Sequence, residues 1–163
     1  NISALFLHAK STGGVLNEMM ANILVPGCSQ TASRACAYGT VWTVINILKR
    51  LSINNNSILW LPSECIERHN INIGQLKEEI YSSEVSKIVK EILYYAKDLL
   101  ANEGPVPKSN LIKGRSALLI KSEVDYYFKA FKKVEYNPWR VRKSSSQISI
   151  LFRLVYSIMT KNY

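Results

Sequence analysis

The most constraining feature of this sequence is the spacing of apolar residues over residues 82–102. They recur every three or four positions, at Val85, Ile88, Val89, Ile92, Leu93, Ala96, Leu99 and Leu100. Charged residues fall between them, at Lys87, Lys90, Glu91 and Lys97. This is the period of an α-helix with one buried face. The segment therefore predicts a long helix whose apolar stripe faces a core.

A second long helix is predicted over residues 29–52, where Ser29 or Thr31 can act as the N-terminal cap. Its apolar positions again follow the helical period, at Ala32, Ala35, Trp42, Ile45, Leu48 and Leu51. Small residues are concentrated in its first half, at Ala32, Ala35, Ala37 and Gly39. They would allow a neighbouring helix to approach closely.

The rest of the chain also predicts helices, over residues 5–24, 110–120, 122–133 and 144–160, with short ones from Pro62 and over 72–76. The first carries a broad apolar stripe, formed by Leu7, Val15, Leu16, Met19, Met20 and Ile23. Turns are predicted at residues 54–57 and 104–107. Because no strand-like alternation occurs, the predicted fold class is all-α, a bundle of unequal helices in one domain over residues 1–163.

The formal net charge of +9 admits several classes of partner. Nucleic acid, an anionic membrane surface and phosphorylated small molecules are all consistent with it, and so is a basic, solvated surface without a partner. No apolar run approaches the ~20 residues that span a bilayer, and the first residues do not form a signal peptide. Because the sequence begins with Asn1, we expect a fragment or a processed chain.

The cysteines and histidines indicate neither a disulfide framework nor a zinc site. Cys28, Cys36 and Cys65 are an odd set without a Cys-x-x-Cys pair, and His8 and His69 are far apart in the sequence. Reduced, packed thiols are the simplest interpretation. We therefore expect a cytoplasmic protein, or one that lies peripherally on the inner face of a membrane.

Residues 39–62 hold the most informative motif. They resemble the second signature segment of the squalene/phytoene synthase family, Gly-x-x-x-Gln-x-x-Asn-Ile-Leu-Arg-Asp-x-x-(Glu/Asp)-Asp followed by Ile-Tyr-Leu-Pro. The residues that keep this pattern are Gly39, Asn46, Ile47, Leu48, Lys49, Leu61 and Pro62. Residues 7–14, 61–71, 95–97 and 134–143 are similar to further family segments in the correct order. Together they cover most of this chain and about the C-terminal half of a full family member.

The resemblance implies an isoprenoid-synthase-like helical bundle, truncated at its N-terminus. Family members condense two prenyl diphosphates with Mg²⁺ that is held by two Asp-x-x-x-Asp motifs, whose acids share one helix face. Here Arg50 and Asn54 replace the acids of the second motif. A divalent ion in contact with Arg50 would be repelled by several kcal/mol even at an effective dielectric constant of about 20. We therefore expect a catalytically impaired chain with no metal ligand, no catalytic residue and no cofactor of its own.

The resemblance also suggests which residues contact substrate. Gly13 and Gly14 correspond to small residues beside the lipid tail of the substrate, and Asn46, Lys49 and Arg50 lie where the diphosphate would bind. Arginine offers a planar fork of donors to phosphate. The alternative is that Arg50 is a solvated or salt-bridged helix residue and that Asn54 forms a turn.

A non-catalytic branch of the family, resembling mitochondrial complex I assembly factors, keeps the Leu-Pro segment and loses the aspartates. This chain resembles that branch, although a decayed bacterial synthase would look the same. The branch implies a membrane-associated binding or assembly factor, with respiratory-complex subunits as partners and the mitochondrial matrix as its location in a eukaryote. Basic residues near the C-terminus lie among aromatic ones and would suit a membrane surface better than nucleic acid, namely Lys129, Lys132, Lys133, Arg140, Arg142 and Lys143.

Overall fold

The computed structural model describes residues 1–51, 60–71, 83–141 and 147–160, and every regular element in these ranges is helical. The N-terminal helices are α1 (Ile2–Ala9), a π-helical segment (Lys10–Gly14), α2 (Val15–Leu24) and α3 (Ser29–Arg50). The central ones are α4 (Ser63–Arg68) and α5 (Ser83–Asn102). Then come α6 (Lys108–Leu111), α7 (Arg115–Leu118), α8 (Ile120–Lys133) and α9 (Gln147–Thr160).

Helix α3 is the centre of the molecule, and α1, the π segment, α2, α5, α7 and α8 all pack against it. Its core side chains are removed from solvent, since Val41, Val44, Ile45 and Leu48 are each 0% exposed. The predicted buried face of α5 is confirmed, because six of its eight apolar positions are buried and Leu99 and Leu100 are half-buried against the core. The two sequence segments with the clearest helical period thus form the packed centre of the bundle.

The first predicted helix is present, but an internal π segment interrupts it. At this segment the hydroxyl of Thr12 donates to the carbonyls of His8 and Ala9, 3.0 and 3.2 Å away. Gly13 and Gly14 follow, and both lie directly against α3: a Cβ at Gly14 would come 2.4 Å from the Thr40 hydroxyl. Hydroxyl groups that compete for backbone carbonyls, and glycines with low helix propensity, favour such a local departure from the α-helix.

The apolar stripe of the first helix faces solvent. Leu16, Met19, Met20 and Ile23 are 66%, 58%, 40% and 78% exposed, and Leu7 and Val15 are exposed as well. The contact with α3 is made instead by small residues of α1 and α2, among them Ala9 and Ala21, which are 0% exposed. Close helix packing selects the small side chains for the interface and leaves the larger ones outside.

The single helix predicted over residues 110–120 is divided into α6 and α7 by a turn at Gly114. A Cβ at Gly114 would lie 2.9 Å from the Thr31 methyl carbon and 3.3 Å from a Val25 methyl carbon. The chain therefore bends where it passes closely over the corner between α2 and α3. The predicted short helix from Pro62 is confirmed as α4. The predictions for residues 54–57 and 72–76 lie outside the described residues.

Helix α9 packs along α8. A bidentate pair fixes its position: Nε of Arg153 lies 2.8 Å from Oε1 of Glu123, and Nη2 lies 3.0 Å from Oε2. Within the described ranges, no helix combines the length and the apolar character needed to cross a membrane.

Candidate functional site

A cavity of about 370 Å³ lies between α1 with the π segment and the C-terminal half of α3. Its lining residues come from three parts of the chain: His8 and Thr12, then Thr43, Asn46, Ile47 and Arg50, and finally Trp60. The residues from α3 are three or four positions apart, so they share one face of that helix. At Gly39, one turn before Thr43, α3 lies directly against the π segment.

The hydroxyl groups of the cavity are held by the backbone of their own helices. Thr43 donates to the Gly39 carbonyl at 3.0 Å, and Thr12 donates to the carbonyl of His8. On the opposite wall, the rings of His8 and Trp60 lie 5.0 Å apart with an interplanar angle of 34°. The threonine oxygens keep acceptor capacity toward a ligand, and the aromatic pair gives the cavity one apolar wall.

Arg50 supplies a permanent positive charge to this cavity. It lies exposed at the last turn of α3, and no hydrogen bond or ion pair joins it to another residue in the described part of the chain. Asn46, one turn earlier, contributes an amide whose Oδ1 lies 3.5 Å from Lys49 Nζ. No Asp or Glu occurs among the cavity residues that the structure describes. This combination of a guanidinium and an amide, with no carboxylate among the described lining residues, suits an anion.

The structure separates Lys49 from Arg50. The Lys49 ammonium lies 4.1 Å from the centre of the Tyr127 ring and 5.4 Å from that of Trp42, on the side of α3 that faces α8. Such a cation–π arrangement stabilises the contact between α3 and α8. Of the predicted head-group contacts, Asn46 and Arg50 lie together in the cavity, and Lys49 lies on the neighbouring face.

Gly13 and Gly14 lie where the π segment crosses α3, next to the cavity. A Cβ at Gly13 would come 2.0 Å from the Thr43 hydroxyl, and Gly14 is buried. The helix contact by itself accounts for glycine at both positions, and their role beside a lipid tail stays a prediction. Asn54 lies outside the residues that the structure describes.

Several cavity residues were not predicted from the sequence. Thr43 could have been found, because it lies three residues before Asn46 and seven before Arg50 on one helix face. His8, Thr12 and Trp60 carry no such signal, since only the tertiary contact between helices brings them to Arg50.

A second cavity, of about 260 Å³, lies between α1, α3 and α5. Its lining combines apolar side chains, among them Phe6, Tyr95 and Leu99, with polar and charged ones, among them Lys10 and Glu103. Its buried thiol, Cys36, has a pKa raised above its usual value by burial and by the neighbouring Glu18 carboxylate. This cavity holds one cation, Lys10, and one carboxylate, Glu103, whereas the described lining of the Arg50 cavity holds a cation and no carboxylate, so the Arg50 cavity suits an anionic ligand better.

Comparison with known proteins identifies one family. The family model described as squalene/phytoene synthase matches residues 1–151. No curated protein and no solved structure matches the chain.

Proposed function

Because the chain belongs to the squalene/phytoene synthase family, we propose that it binds a prenyl diphosphate in the Arg50 cavity without catalysing magnesium-dependent condensation. The observation that carries this proposal is the composition of the cavity. Arg50 points into a space lined by Thr12, Thr43 and Asn46, and the lining residues described include no carboxylate.

The cavity supplies the interactions that a diphosphate head group requires. The Arg50 guanidinium can donate two parallel hydrogen bonds to phosphate oxygens, which are shorter and stronger than bonds between neutral groups. The amide of Asn46 can donate to a remaining oxygen, whereas the hydroxyl protons of Thr12 and Thr43 are already donated to backbone carbonyls. Ile47 and the Trp60 ring provide apolar surface for the first carbons of the prenyl chain.

Mg²⁺ does not fit the residues of this cavity. The ion prefers carboxylate and phosphate oxygens in an octahedral arrangement, and the protein would have to supply at least one carboxylate. Arg50 occupies the position of the first family aspartate and would repel the ion. The diphosphate leaving group would therefore lack the metal that neutralises its charge, which supports impaired catalysis.

Titration calorimetry with farnesyl diphosphate in EDTA tests ligand binding. We expect the wild-type chain to bind and Arg50→Gln to bind at least about tenfold more weakly, because a charge-assisted hydrogen bond is worth about 1.5–3 kcal/mol. Lys87→Gln, which removes an exposed charge on α5, is the matched control and should change affinity less than twofold. Equal affinity of wild-type and Arg50→Gln would place the ligand elsewhere.

The catalytic part of the proposal has its own test. Diphosphate release from farnesyl or geranylgeranyl diphosphate should not exceed the background rate in the presence of Mg²⁺. Turnover near 1 s⁻¹, an ordinary value for enzymes, would contradict it. The double variant Arg50→Asp, Asn54→Asp restores the two family carboxylates, and we expect its affinity for the ligand to become dependent on Mg²⁺.

The alternative function, that of an assembly factor, is equally consistent with the loss of the family carboxylates. It differs in the expected ligand, which is another protein instead of a prenyl diphosphate. A chain that binds no prenyl diphosphate, with or without Mg²⁺, would overturn the ligand proposal and favour a role in binding another protein. Co-purification with respiratory-complex subunits would then be the measurement to make.

A further inference from the structure

The last described helix, α9, carries a continuous apolar face that nothing in the described structure covers. Among its described side chains, five large apolar ones are exposed, and because they are spaced by one, three and four residues they lie on one side of the helix. Their exposed fractions run from 44% to 77%, for Leu151, Phe152, Val155, Tyr156 and Met159.

The outward direction of this face is set by an ion pair on the opposite side of the helix. Arg153 is the only charged residue of α9. It turns toward α8, where its guanidinium contacts both carboxylate oxygens of Glu123 and lies 4.0 Å from the centre of the Tyr126 ring. Glu123 is only 8% exposed. A surface helix normally places charges outside and apolar residues inside, and α9 does the reverse.

The positive charge of the chain is concentrated in the same part of the sequence. Residues 108–163 contain twelve Lys and Arg against three Asp and Glu, whereas residues 1–107 contain nine of each. The last third therefore carries the whole net charge of +9. Two of its three carboxylates are also neutralised locally, Glu123 by Arg153 and Asp125 by Lys121 at 3.5 Å.

We propose that the apolar face of α9, together with the basic surface of α8, docks on an anionic lipid bilayer. An exposed apolar helix face enters the boundary between head groups and acyl chains, and nearby lysines and arginines are attracted to anionic head groups. The exposed Lys129, Lys132 and Lys133 on α8 supply such charges in the described structure. This inference is independent of the prenyl diphosphate cavity.

A second exposed apolar stripe lies on α2. Leu16, Met19, Met20 and Ile23 are also exposed, but they lie in the part of the chain that has no net charge. Apolar exposure alone would favour any apolar partner. The exposed apolar residues of α9 and the excess positive charge belong to the same third of the sequence, and together they favour an anionic bilayer for that face.

Vesicle sedimentation with the full chain tests the proposal. Vesicles of phosphatidylcholine alone are compared with vesicles that contain 30% phosphatidylglycerol, at 50 mM and 500 mM salt. We expect at least tenfold stronger binding to the anionic vesicles at low salt and a large loss at high salt, because salt screens the charge attraction. Equal binding to both kinds of vesicle would overturn the role of charge.

Two double variants distinguish binding through the α9 face from nonspecific hydrophobic binding to vesicles. Phe152→Ser combined with Tyr156→Ser should weaken binding to anionic vesicles at least tenfold. The matched control, Leu16→Ser combined with Ile23→Ser on α2, should weaken it less than twofold. All four side chains are more than 60% exposed, so circular dichroism should show unchanged helix content in both variants. An equal loss in the two variants would contradict a specific docking face.

The charge contribution is tested by Lys129→Gln, Lys132→Gln and Lys133→Gln. We expect about a fivefold loss of binding for each lysine removed, from the typical attraction of one cation to an anionic surface. A second copy of the chain is the competing occupant of the face. If wild-type chain binds no vesicles and light scattering shows a dimer that the α9 double variant converts to monomer, the lipid proposal is wrong.

Discussion

At the scale of single residues, Gly39 makes the closest approach to a backbone atom among the described glycines. A Cβ built at this position would lie 2.3 Å from the carbonyl oxygen of Gly13 and 2.5 Å from Asn17 Nδ2. Real Cβ atoms do not approach a backbone oxygen so closely, and a backbone atom cannot rotate away as a flexible side chain can. The π segment would have to move away from α3.

We expect Gly39→Ala to lower the free energy of unfolding by about 1–3 kcal/mol, the usual cost of overpacking. Gly104→Ala is the matched control, because nothing lies within 4 Å of a Cβ at Gly104. Urea denaturation of both variants measures the difference. Equal stability of the two variants would show that the helices can separate at no cost.

The sequence could predict some site residues and not others. The family motif identifies Asn46 and Arg50, and the helical period puts them on one face. The same motif also includes Lys49, yet adjacent residues on a helix point about 100° apart. The side chain of Lys49 therefore reaches the rings of Trp42 and Tyr127 instead of the cavity. The other cavity residues, His8, Thr12 and Trp60, come close to Arg50 only through tertiary contacts, which no local sequence pattern predicts.

At the scale of helices, Arg34 joins the beginning of α3 to the end of α5. Its Nη1 donates to the carbonyls of Leu100 and Glu103, at 2.6 and 3.0 Å, and its Nη2 donates to the Tyr38 hydroxyl at 3.1 Å. The last carbonyls of a helix have no partners within the helix. Arg34 satisfies two carbonyls at the C-terminal end of α5 and places a positive charge near its dipole.

Arg34→Ala should therefore destabilise the protein by about 1.5–3 kcal/mol, the range for hydrogen bonds to a charged group. The exposed Arg140→Ala should change stability by less than about 0.5 kcal/mol. Thermal and urea unfolding measure the global change, and hydrogen exchange shows where it occurs. We expect faster exchange at the C-terminal turn of α5, and unchanged exchange there would contradict this role.

The sequence predicts the presence of a helix more reliably than the face of the helix that is buried. The period of α5 correctly predicts both the helix and its buried face, because large apolar side chains make that contact. On α2 the large apolar residues lie outside, because glycine and alanine make a closer contact with α3. The division of residues 110–120 at Gly114 follows from the corner of α2 and α3, which is remote in sequence.

For the whole molecule, buried ionisable groups predict a loss of stability in alkaline solution. Burial raises the pKa of Cys36, Cys65 and Tyr38 above their usual values. Above pH ~8.5 the thiols of the unfolded chain release protons that the folded chain retains. The unfolded state then binds fewer protons, so the free energy of unfolding falls as pH rises. The pKa of Cys28 is lowered by its hydrogen bonds with Thr31, which opposes this trend.

We expect the free energy of unfolding to fall between pH 8 and pH 10, by at most about 1.4 kcal/mol per pH unit for each group. Urea titrations under a reductant that stays active at high pH measure it. Cys65→Ala removes one fully buried thiol and should reduce the pH dependence. A pH dependence that is unchanged in this variant would assign the loss to other groups.

The π segment sets the rotation of α1 about its axis relative to that of α2. A π turn holds one more residue than an α turn, so it shifts the angular phase of all residues on one side of it by about 100° relative to the other. His8 and the Arg50 cavity lie on one side of this shift, and the Ala21 contact with α3 lies on the other. Gaining or losing one residue between Lys10 and Gly14 would leave the α2 contact in place and rotate α1, moving His8 of the cavity together with the buried Leu5, Phe6 and Ala9. The length of this segment therefore determines both which residues of α1 face the core and which of them line the cavity.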